Sequence, residues 1–287
     1  MQLMIGSVQF GKKYGLRKKK ISKNDLNKIH GVCLENKINF IDTAKSYGDS
    51  EKLIGRTKLN ELEIITKLKI PKNLNNSKIS NYLKNYFKKT TNKLNVDKIY
   101  AILIHDINEI NNSNKEIIIN FFDNLKKKKL IKFFGASVYT PADVAGLLKF
   151  FKPDIIQFPL NIIDQRFLMN GLLKKLKKRK IKLAARSCFL QGFLLQELND
   201  YPKFKLKRFF PELKQINDWC VQSKISRLDA CIHFVKKNNM IDFMVVGFDD
   251  VTHLKKIIKS FKKKKINVSA KFKTKNNNLI DPRRWKL

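Results

Sequence analysis

Short apolar runs rich in β-branched residues alternate along the chain with longer segments of helical spacing. Most of these runs are too continuously apolar to be antiparallel strands with one solvent-facing side. They are typical of strands in a parallel sheet that is buried on both faces. The eight predicted strands are Leu3–Val8, Ile38–Ile41, Leu62–Thr66, Ile99–Ile104, Ile131–Gly135, Asp154–Phe158, Ile181–Ala185 and Phe243–Val246.

Helix start signals lie in several of the segments between these strands. Ser22 is followed three residues later by Asp25, and Ser226 stands in the same relation to Asp229. The stretch Thr140–Asp143 combines a capping threonine, a proline at the first helical position and an acid at the third. Each pattern satisfies backbone N–H groups at the start of a helix, so each predicts a helix there.

Eight strand-then-helix units in 287 residues, with no obvious linker, predict a closed (β/α)8 TIM barrel. We expect this barrel to occupy residues 1–265, followed by a C-terminal tail over 266–287. A doubly wound sheet is the alternative fold. However, Gly6–Gly11, which follows the first strand, does not have the G-x-G-x-x-G spacing of a dinucleotide-binding turn.

The composition narrows the class of protein. A hydrophobic share of 43% excludes global disorder, and no apolar stretch is long enough to span a membrane. The N-terminus lacks the pattern of a secretory signal. The four cysteines are far apart and form no C-x-x-C pair, which favours reduced thiols in a cytoplasmic protein. We predict no metal site.

The formal net charge of +37 comes mainly from lysine, since only nine of the 61 basic residues are arginine and 52 are lysine. Readers of specific nucleic-acid sequences favour arginine for bidentate contacts. The excess is therefore interpreted as a solvated lysine coat, and no specific nucleic-acid partner and no membrane partner are predicted. Such a field still attracts polyanions weakly and favours anionic substrates.

Polar residues end several of the predicted strands. Asp42 follows the second strand, with Tyr47 five residues later, and Lys67 and His105 close the third and fourth. The C-terminal ends of barrel strands meet at one rim, where TIM-barrel enzymes carry their active sites. Further strand-end residues at this rim are Ser137, Gln157, Arg186, Ser187 and Gly247.

The first four of these side chains, Asp42, Tyr47, Lys67 and His105, together suit the protonation of an oxygen on which negative charge develops. A buried ammonium at Lys67 would favour the phenolate of Tyr47, and Asp42 would keep that ammonium charged. A neutral His105 would donate a hydrogen bond to a carbonyl oxygen. Hydride delivery to a carbonyl creates this charge, and because no side chain supplies hydride, a nicotinamide cofactor is implied.

The motif Ile41–Gly55 resembles the signature of the aldo-keto reductase family. The resemblance continues in order along residues 1–260 through Thr66-Lys67, Leu103–His105, Gly135–Ser137, Gln157 with Asn161, and Ser187–Gly192. It implies a (β/α)8 barrel that reduces aldehydes and ketones with NADPH or NADH. It also implies that Tyr47 is the general acid, Lys67 and Asp42 its tuning pair and His105 the residue that orients the carbonyl.

The same resemblance implies a dinucleotide extended across the barrel mouth, with NADP(H) favoured over NAD(H). The cofactor-binding residues implied by it are Gly6, Ser7, Asp42, Ser137, Gln157, Arg186, Ser187, Gln191, Gly192 and Gly247. Four residues depart from the family pattern. Val138 replaces a common asparagine, Arg186 replaces a common aromatic residue, and Asp249 with Asp250 follows the eighth strand where many members carry a basic residue for the 2′-phosphate.

The leading hypothesis is a nicotinamide-dependent carbonyl reductase acting on an aldehyde, ketone or sugar ketone. The tail Ile280–Trp285 resembles tails of reductases in polysaccharide and nucleotide-sugar biosynthesis, which suggests carbohydrate metabolism and a sugar-like or anionic substrate. Trp285 or the adjacent arginines would then fold over the barrel mouth; the alternative is a tail packed on the barrel exterior. The alternative functions are a catalytically weak, dinucleotide-binding regulatory subunit and a polyanion-binding protein.

Overall fold

The computed structural model describes residues 1–71, 74–111, 113–198 and 206–285. Its eight strands are all parallel, each pairs with the next along the chain, and the eighth pairs with the first, so the barrel is closed. The predicted (β/α)8 TIM barrel is confirmed, and the doubly wound sheet is excluded. The strands are β1 Gln2–Gly6, β2 Phe40–Asp42, β3 Glu63–Leu68, β4 Ile99–Ile104, β5 Ile131–Ser137, β6 Ile155–Pro159, β7 Lys182–Arg186 and β8 Phe243–Val246.

The predicted runs differ from the observed strands mainly at their ends. β4 and β8 coincide with the prediction, whereas β3, β5 and β7 continue past the last apolar residue of their runs to Leu68, Ser137 and Arg186. A strand continues as long as its backbone remains paired, whatever the polarity of the side chain. The polar residues thus belong to the strand ends themselves and lie at the rim.

Most helices lie between the strands, and three of them begin at the capping signals noted in the sequence. Thr140 and Asp143 form a reciprocal capping box, and the side chains of Ser22 and Ser226 accept from the N–H groups of Asp25 and Asp229. The helices are α1 Val8–Gly11, α2 Lys23–Glu35, α3 Ser50–Gly55, α4 Asn76–Leu94, α5 Lys115–Lys127, α6 Pro141–Phe150, α7 Leu172–Lys178, α8 Phe210–Gln222, α9 Arg227–Lys236, α10 Val251–Lys262 and α11 Asn277–Ile280.

Buried residues form two layers because neighbouring residues of a strand point to opposite faces. In β1, Leu3 and Ile5 pack in the large cluster between barrel and helices, whereas Met4 belongs to a smaller cluster inside the barrel. Within that inner cluster the rings of Phe40 and Phe243 lie 5.0 Å apart between centroids. The inner cluster fills the barrel interior, so it is a packed core rather than a pore.

The segment after α10 packs against the loop that follows β6. Gln165 in the loop after β6 donates to the carbonyl of Ala270, and the N–H of Thr274 donates to Ile163. Trp285 is 7% exposed, and its indole N–H donates to the carbonyls of Asn278 and Leu279.

Within the described parts of the chain, no helix combines the length and apolar character that crossing a membrane requires. The described histidines, cysteines and carboxylates form no cluster of three suited to a metal ion. All four cysteines, Cys33, Cys188, Cys220 and Cys231, are buried free thiols.

Candidate active site

A cleft of about 800 Å³ opens at the rim formed by the C-terminal ends of the strands. Every residue that the sequence analysis assigned to catalysis or to cofactor binding lies on its wall. These residues are Gly6, Ser7, Asp42, Tyr47, Lys67, His105, Ser137, Gln157, Arg186, Ser187, Gln191, Gly192 and Gly247. They come from the ends of all eight strands and from the connections that follow them.

The most deeply buried charges of the cleft are the ion pair between Lys67 and Asp42. The lysine Nζ lies 2.7 and 2.8 Å from the two carboxylate oxygens and donates a third bond of 3.0 Å to the carbonyl of Thr43. The lysine side chain is 1% exposed. Burial lowers the pKa of Lys67, and the carboxylate of Asp42 opposes that shift. Asp42 therefore favours the charged lysine, as its position in sequence suggests.

Tyr47 lies directly above this pair, with its hydroxyl oxygen 3.4 Å from the Nζ of Lys67. Burial and the carboxylate of Asp42 raise the pKa of Tyr47 above its usual value of 10.0, whereas Arg186 lowers it. The net shift of the Tyr47 pKa is upward, so the expected lowering by Lys67 does not dominate in this site. The carboxylate neutralises the ammonium locally, and desolvation disfavours the phenolate, so Tyr47 keeps its proton at neutral pH.

His105 faces the same part of the cleft. Its ring stands edge-on to the ring of Tyr47, with 6.4 Å between centroids, and its Nδ1 lies 3.4 Å from the Oγ of Ser46. Burial, together with the charges of Lys67 and Arg186, lowers the pKa of His105 to about 3. The imidazole is therefore neutral at physiological pH, as its proposed role requires. A hydroxyl of Ser46 that donates to Nδ1 leaves the imidazole proton on Nε2, the nitrogen able to donate to a substrate.

Two glycines and a hydroxyl network hold the segment that carries Tyr47. A Cβ at Gly11 would collide with the backbone carbonyl of Tyr47, and Gly48 adopts a positive φ of 62°. Ser50 donates to Ser7 across the β1 and β2 ends, at 2.7 Å between the two hydroxyl oxygens. The motif spacing noted in the sequence thus corresponds to a turn that packs backbone against backbone beside α1.

The side-chain amide of Gln157 is suited to bind a nicotinamide carboxamide. Its amide nitrogen donates to an oxygen of Asp42 at 2.7 Å, and because a carboxylate only accepts, the amide orientation is fixed. The other amide atom, Oε1, is buried without a hydrogen-bond partner in the described structure. Ser137 lies beside it at the paired end of β5 and is 2% exposed. A carboxamide N–H would satisfy the acceptor that the protein leaves unpaired.

The connection after β7 supplies a tight turn on the cleft wall. Ser187, Gln191 and Gly192 all adopt positive φ angles, of 61°, 54° and 91°. Asn161 donates to the carbonyl of Ser187 at 3.1 Å, which ties this turn to the loop after β6. Turns of this kind orient backbone N–H groups towards anions, so the residues present suit a pyrophosphate.

The carboxylates after β8 are engaged by the protein itself. Asp249 accepts from the amide of Gln9 at 2.8 Å and lies 3.6 Å from the guanidinium of Arg17. Asp250 caps α10 by accepting from the N–H of His253 at 2.7 Å. Both acids therefore have local partners, which reduces the repulsion towards a phosphate that their sequence position suggests.

Several cleft residues escape sequence reasoning. They are Lys12, Tyr14 and Arg17 in the connection after β1, Tyr139 after β5 and Arg227 at the start of α9. Tyr139 carries a usable signal, since it follows the strand end at Ser137 by two residues. The others reach the cleft through tertiary contacts, such as the bond from the N–H of Leu16 to the carbonyl of Gln191.

The tail approaches the lining of the cleft through the guanidinium of Arg283. Arg283 lies 3.7 Å from the ring centroid of Tyr139, while Trp285 packs near Phe193 and is absent from the described lining of the cleft. The sequence left two arrangements open for the tail, one folded over the barrel mouth and one packed on the barrel exterior. Trp285 adopts the second.

Comparisons with known proteins agree with this fold. The family model of the aldo/keto reductase family matches residues 2–273. No curated protein matches the chain. AKR11C1 of Bacillus halodurans in its holo form is similar in structure, with 18% identity, 93% of this chain and 88% of that chain covered, and a TM-score of 0.71.

Two further solved structures are similar. The thermostable aldo-keto reductase Tm1743, in complex with the inhibitor epalrestat, shares 18% identity over 94% of this chain and 92% of that chain, with a TM-score of 0.67. PA4992 of Pseudomonas aeruginosa, assigned to the aldo-keto reductases, shares 17% identity over 90% and 88%, with a TM-score of 0.65. The chain belongs to the aldo/keto reductase family, whose members are oxidoreductases of small carbonyl compounds that use nicotinamide cofactors.

Proposed function

We propose that this protein is an NAD(P)H-dependent carbonyl reductase that converts an aldehyde, ketone or sugar ketone to the alcohol. The observation that carries the proposal is the assembly of Tyr47, Lys67, Asp42 and His105 at one end of a single cleft. Because the four residues come from consecutive strand ends, the barrel itself sets their spacing.

The side chains divide the work at the carbonyl oxygen. His105, which is neutral, donates a hydrogen bond that orients and polarises the oxygen. Tyr47 keeps its proton at neutral pH and delivers it as negative charge develops on that oxygen. A nicotinamide cofactor, when bound, would supply the hydride that no side chain can provide.

Lys67 acts on the phenol only as the reaction proceeds. Its Nζ is already 3.4 Å from the hydroxyl of Tyr47, so it can stabilise the phenolate without moving. Asp42 and the carbonyl of Thr43 fix the ammonium at this point. Such a preorganised charge stabilises the transition state more than the ground state, which is the condition for catalysis.

The proposed cofactor is NADP(H). Gln157 and Ser137 would bind its carboxamide, and the turn over Ser187–Gly192 its pyrophosphate. Arg17 and Lys256 line the cleft beside α10, where they would meet a 2′-phosphate, and Asp249 already has partners in the protein. Fluorescence titration with NADPH and NADH measures this preference, and a tighter dissociation constant for NADH would reverse it.

Turnover tests the catalytic assignment. We expect wild type to oxidise NADPH in the presence of small aldehydes or sugar ketones, and Tyr47→Phe to lose about 3 kcal/mol of transition-state stabilisation, or about 100-fold in rate. Tight dinucleotide binding without turnover on a broad carbonyl panel would instead identify a regulatory subunit. Equal rates for wild type and variant would eliminate Tyr47 as the acid.

The proposed location is the cytoplasm. The four cysteines are free and buried, which suits a reducing compartment. Fractionation of cells that produce the protein tests the proposal, and recovery outside the cytoplasmic fraction would contradict it.

A further inference from the structure

Arg186 differs from the other arginines of the cleft in having no carboxylate beside it among the described residues. Three arginines line the cleft, and two of them lie near carboxylates: Arg17 is 3.6 Å from Asp249, and Arg227 is 3.6 Å from Glu197. Within the described parts of the chain, no carboxylate lies within 4 Å of the guanidinium of Arg186. A half-buried cation with no counter-ion is costly unless something else completes its surroundings.

The guanidinium is nevertheless held in a defined place. One terminal nitrogen donates to the carbonyl of Val138 and the other to the hydroxyl of Ser187, both at 3.2 Å. Its carbon lies 4.5 Å from the ring centroid of Tyr139, and Arg283 of the tail lies 3.7 Å from that same centroid. A guanidinium has five N–H donors, so the two bonds leave three for a ligand.

This place is at the reacting end of the cleft rather than at the dinucleotide phosphates. Arg186 is anchored to the end of β5, and its charge acts on both Tyr47 and His105. Lys12 adds a second cation there, with its Nζ 5.9 Å from the ring centroid of Tyr47. The turn suited to pyrophosphate begins after Arg186, and the ring of Phe189 in this turn lies 6.3 Å from the ring of His253 in α10.

Building on the proposed reductase function, we propose that the substrate carries an anionic group, a carboxylate or a phosphate, close to its carbonyl, and that Arg186 binds this group. A planar guanidinium matches both oxyanions through two parallel hydrogen bonds. Binding of the anion compensates the unpaired cation and fixes the carbonyl beside Tyr47 and His105. Arg186 is then a specificity-determining residue, distinct from Tyr47 and His105, which act on the carbonyl oxygen, and from Lys67 and Asp42, which act through Tyr47.

Matched substrate pairs test this at saturating NADPH. The carboxylate pairs are benzoylformate with its methyl ester and 4-carboxybenzaldehyde with methyl 4-formylbenzoate; the phosphate pair is glyceraldehyde 3-phosphate with glyceraldehyde. We expect kcat/KM of wild type to be at least about tenfold higher for the charged member of at least one pair, as befits a charge-assisted hydrogen bond. The pair with the largest ratio distinguishes carboxylate from phosphate.

Three variants locate the effect. Arg186→Gln should reduce the charged-to-neutral ratio to about one, and Arg186→Lys should keep part of it, since an ammonium is a point charge without the planar fork. Arg227→Gln removes a positive charge from the same cleft but near α9, so the ratio should remain that of wild type. Ratios near one in wild type for all three pairs, or an unchanged ratio in Arg186→Gln, would overturn the inference.

A binding measurement separates this inference from the reductase proposal. Calorimetric titration of the protein in excess NADP⁺ with benzoylformate, 4-carboxybenzaldehyde, glyceraldehyde 3-phosphate and their neutral counterparts requires no turnover. Tighter binding of the charged members that Arg186→Gln abolishes would support the inference even if no carbonyl were reduced. If the variant weakens only the binding of NADPH, Arg186 is a dinucleotide ligand and the inference fails, while the reductase function stands.

Discussion

Replacing Asp42 by asparagine removes one charge from a nearly dry ion pair while keeping the shape of the side chain. In the wild-type structure the two side chains are 5% and 1% exposed, and both carboxylate oxygens lie within 2.8 Å of the Lys67 Nζ. The variant leaves an ammonium that the carbonyl of Thr43 alone cannot compensate. Removing one partner of a buried pair costs about 3–5 kcal/mol of unfolding free energy. Burial already lowers the pKa of Lys67, and loss of the carboxylate should lower this pKa further.

A double-mutant cycle measures this loss of unfolding free energy by urea unfolding of wild type, Asp42→Asn, Lys67→Met and the double variant. The double variant buries no charge, so its loss of stability should be smaller than the sum of the two single losses by more than about 0.5 kcal/mol, the scatter of independent sites. If Asp42→Asn unfolds within about 1 kcal/mol of wild type, the desolvation argument behind the expected 3–5 kcal/mol loss is refuted. Additive losses would refute the coupling between the two side chains.

Three further changes have expected outcomes. The pKa of His105 is lowered from 6.5 to about 3, so the unfolded chain binds more protons than the folded one between these pH values. Stability therefore falls as pH drops through that window. His105→Gln should flatten this part of the dependence of the urea midpoint on pH. Burial raises the pKa of Glu109 from 4.5 to about 7. Its contribution to stability is therefore lost as pH rises through that window, and Glu109→Gln should remove this loss. For either variant, a dependence of the urea midpoint on pH that matches wild type would contradict the assignment for that residue. Trp285→Ala should cost about 3–5 kcal/mol in denaturant unfolding, and Trp285→Phe less, because the tail packs through this ring. Equal losses would show that the indole N–H bonds alone hold the tail.

The strand pattern was readable because parallel barrel strands are buried on both faces. β4 and β8 have the predicted bounds, and β3 was cut short only because Lys67 ends its apolar run. The polar ends of β5 and β7 were likewise placed just beyond their strands, because the predicted strands included only the apolar runs. Local polarity does not reveal that the barrel rim turns such residues into a shared cleft.

The electrostatics of the site depended on distances that local sequence does not contain. Lys67 is near Tyr47, as expected. The pKa of the phenol is nevertheless raised, because burial disfavours the phenolate and the carboxylate of Asp42 lies 2.7 Å from the lysine Nζ. Arg186 could be named from its position before Ser187. Its bond to Val138 and its stacking on Tyr139 required the folded chain.

The order of apolar and polar positions was sufficient to determine eight strand–helix units, a closed parallel barrel and a ring of polar groups at one rim. It was sufficient because hydrophobic burial and strand alternation are local, and parallel strands place their C-terminal ends together. Only the tertiary structure decided which cations are paired, where the connection after β1 and the tail meet the rim, and how acidic Tyr47 is. These properties arise from contacts between residues far apart in the chain, such as Gln9 with Asp249, and from the loss of water around them.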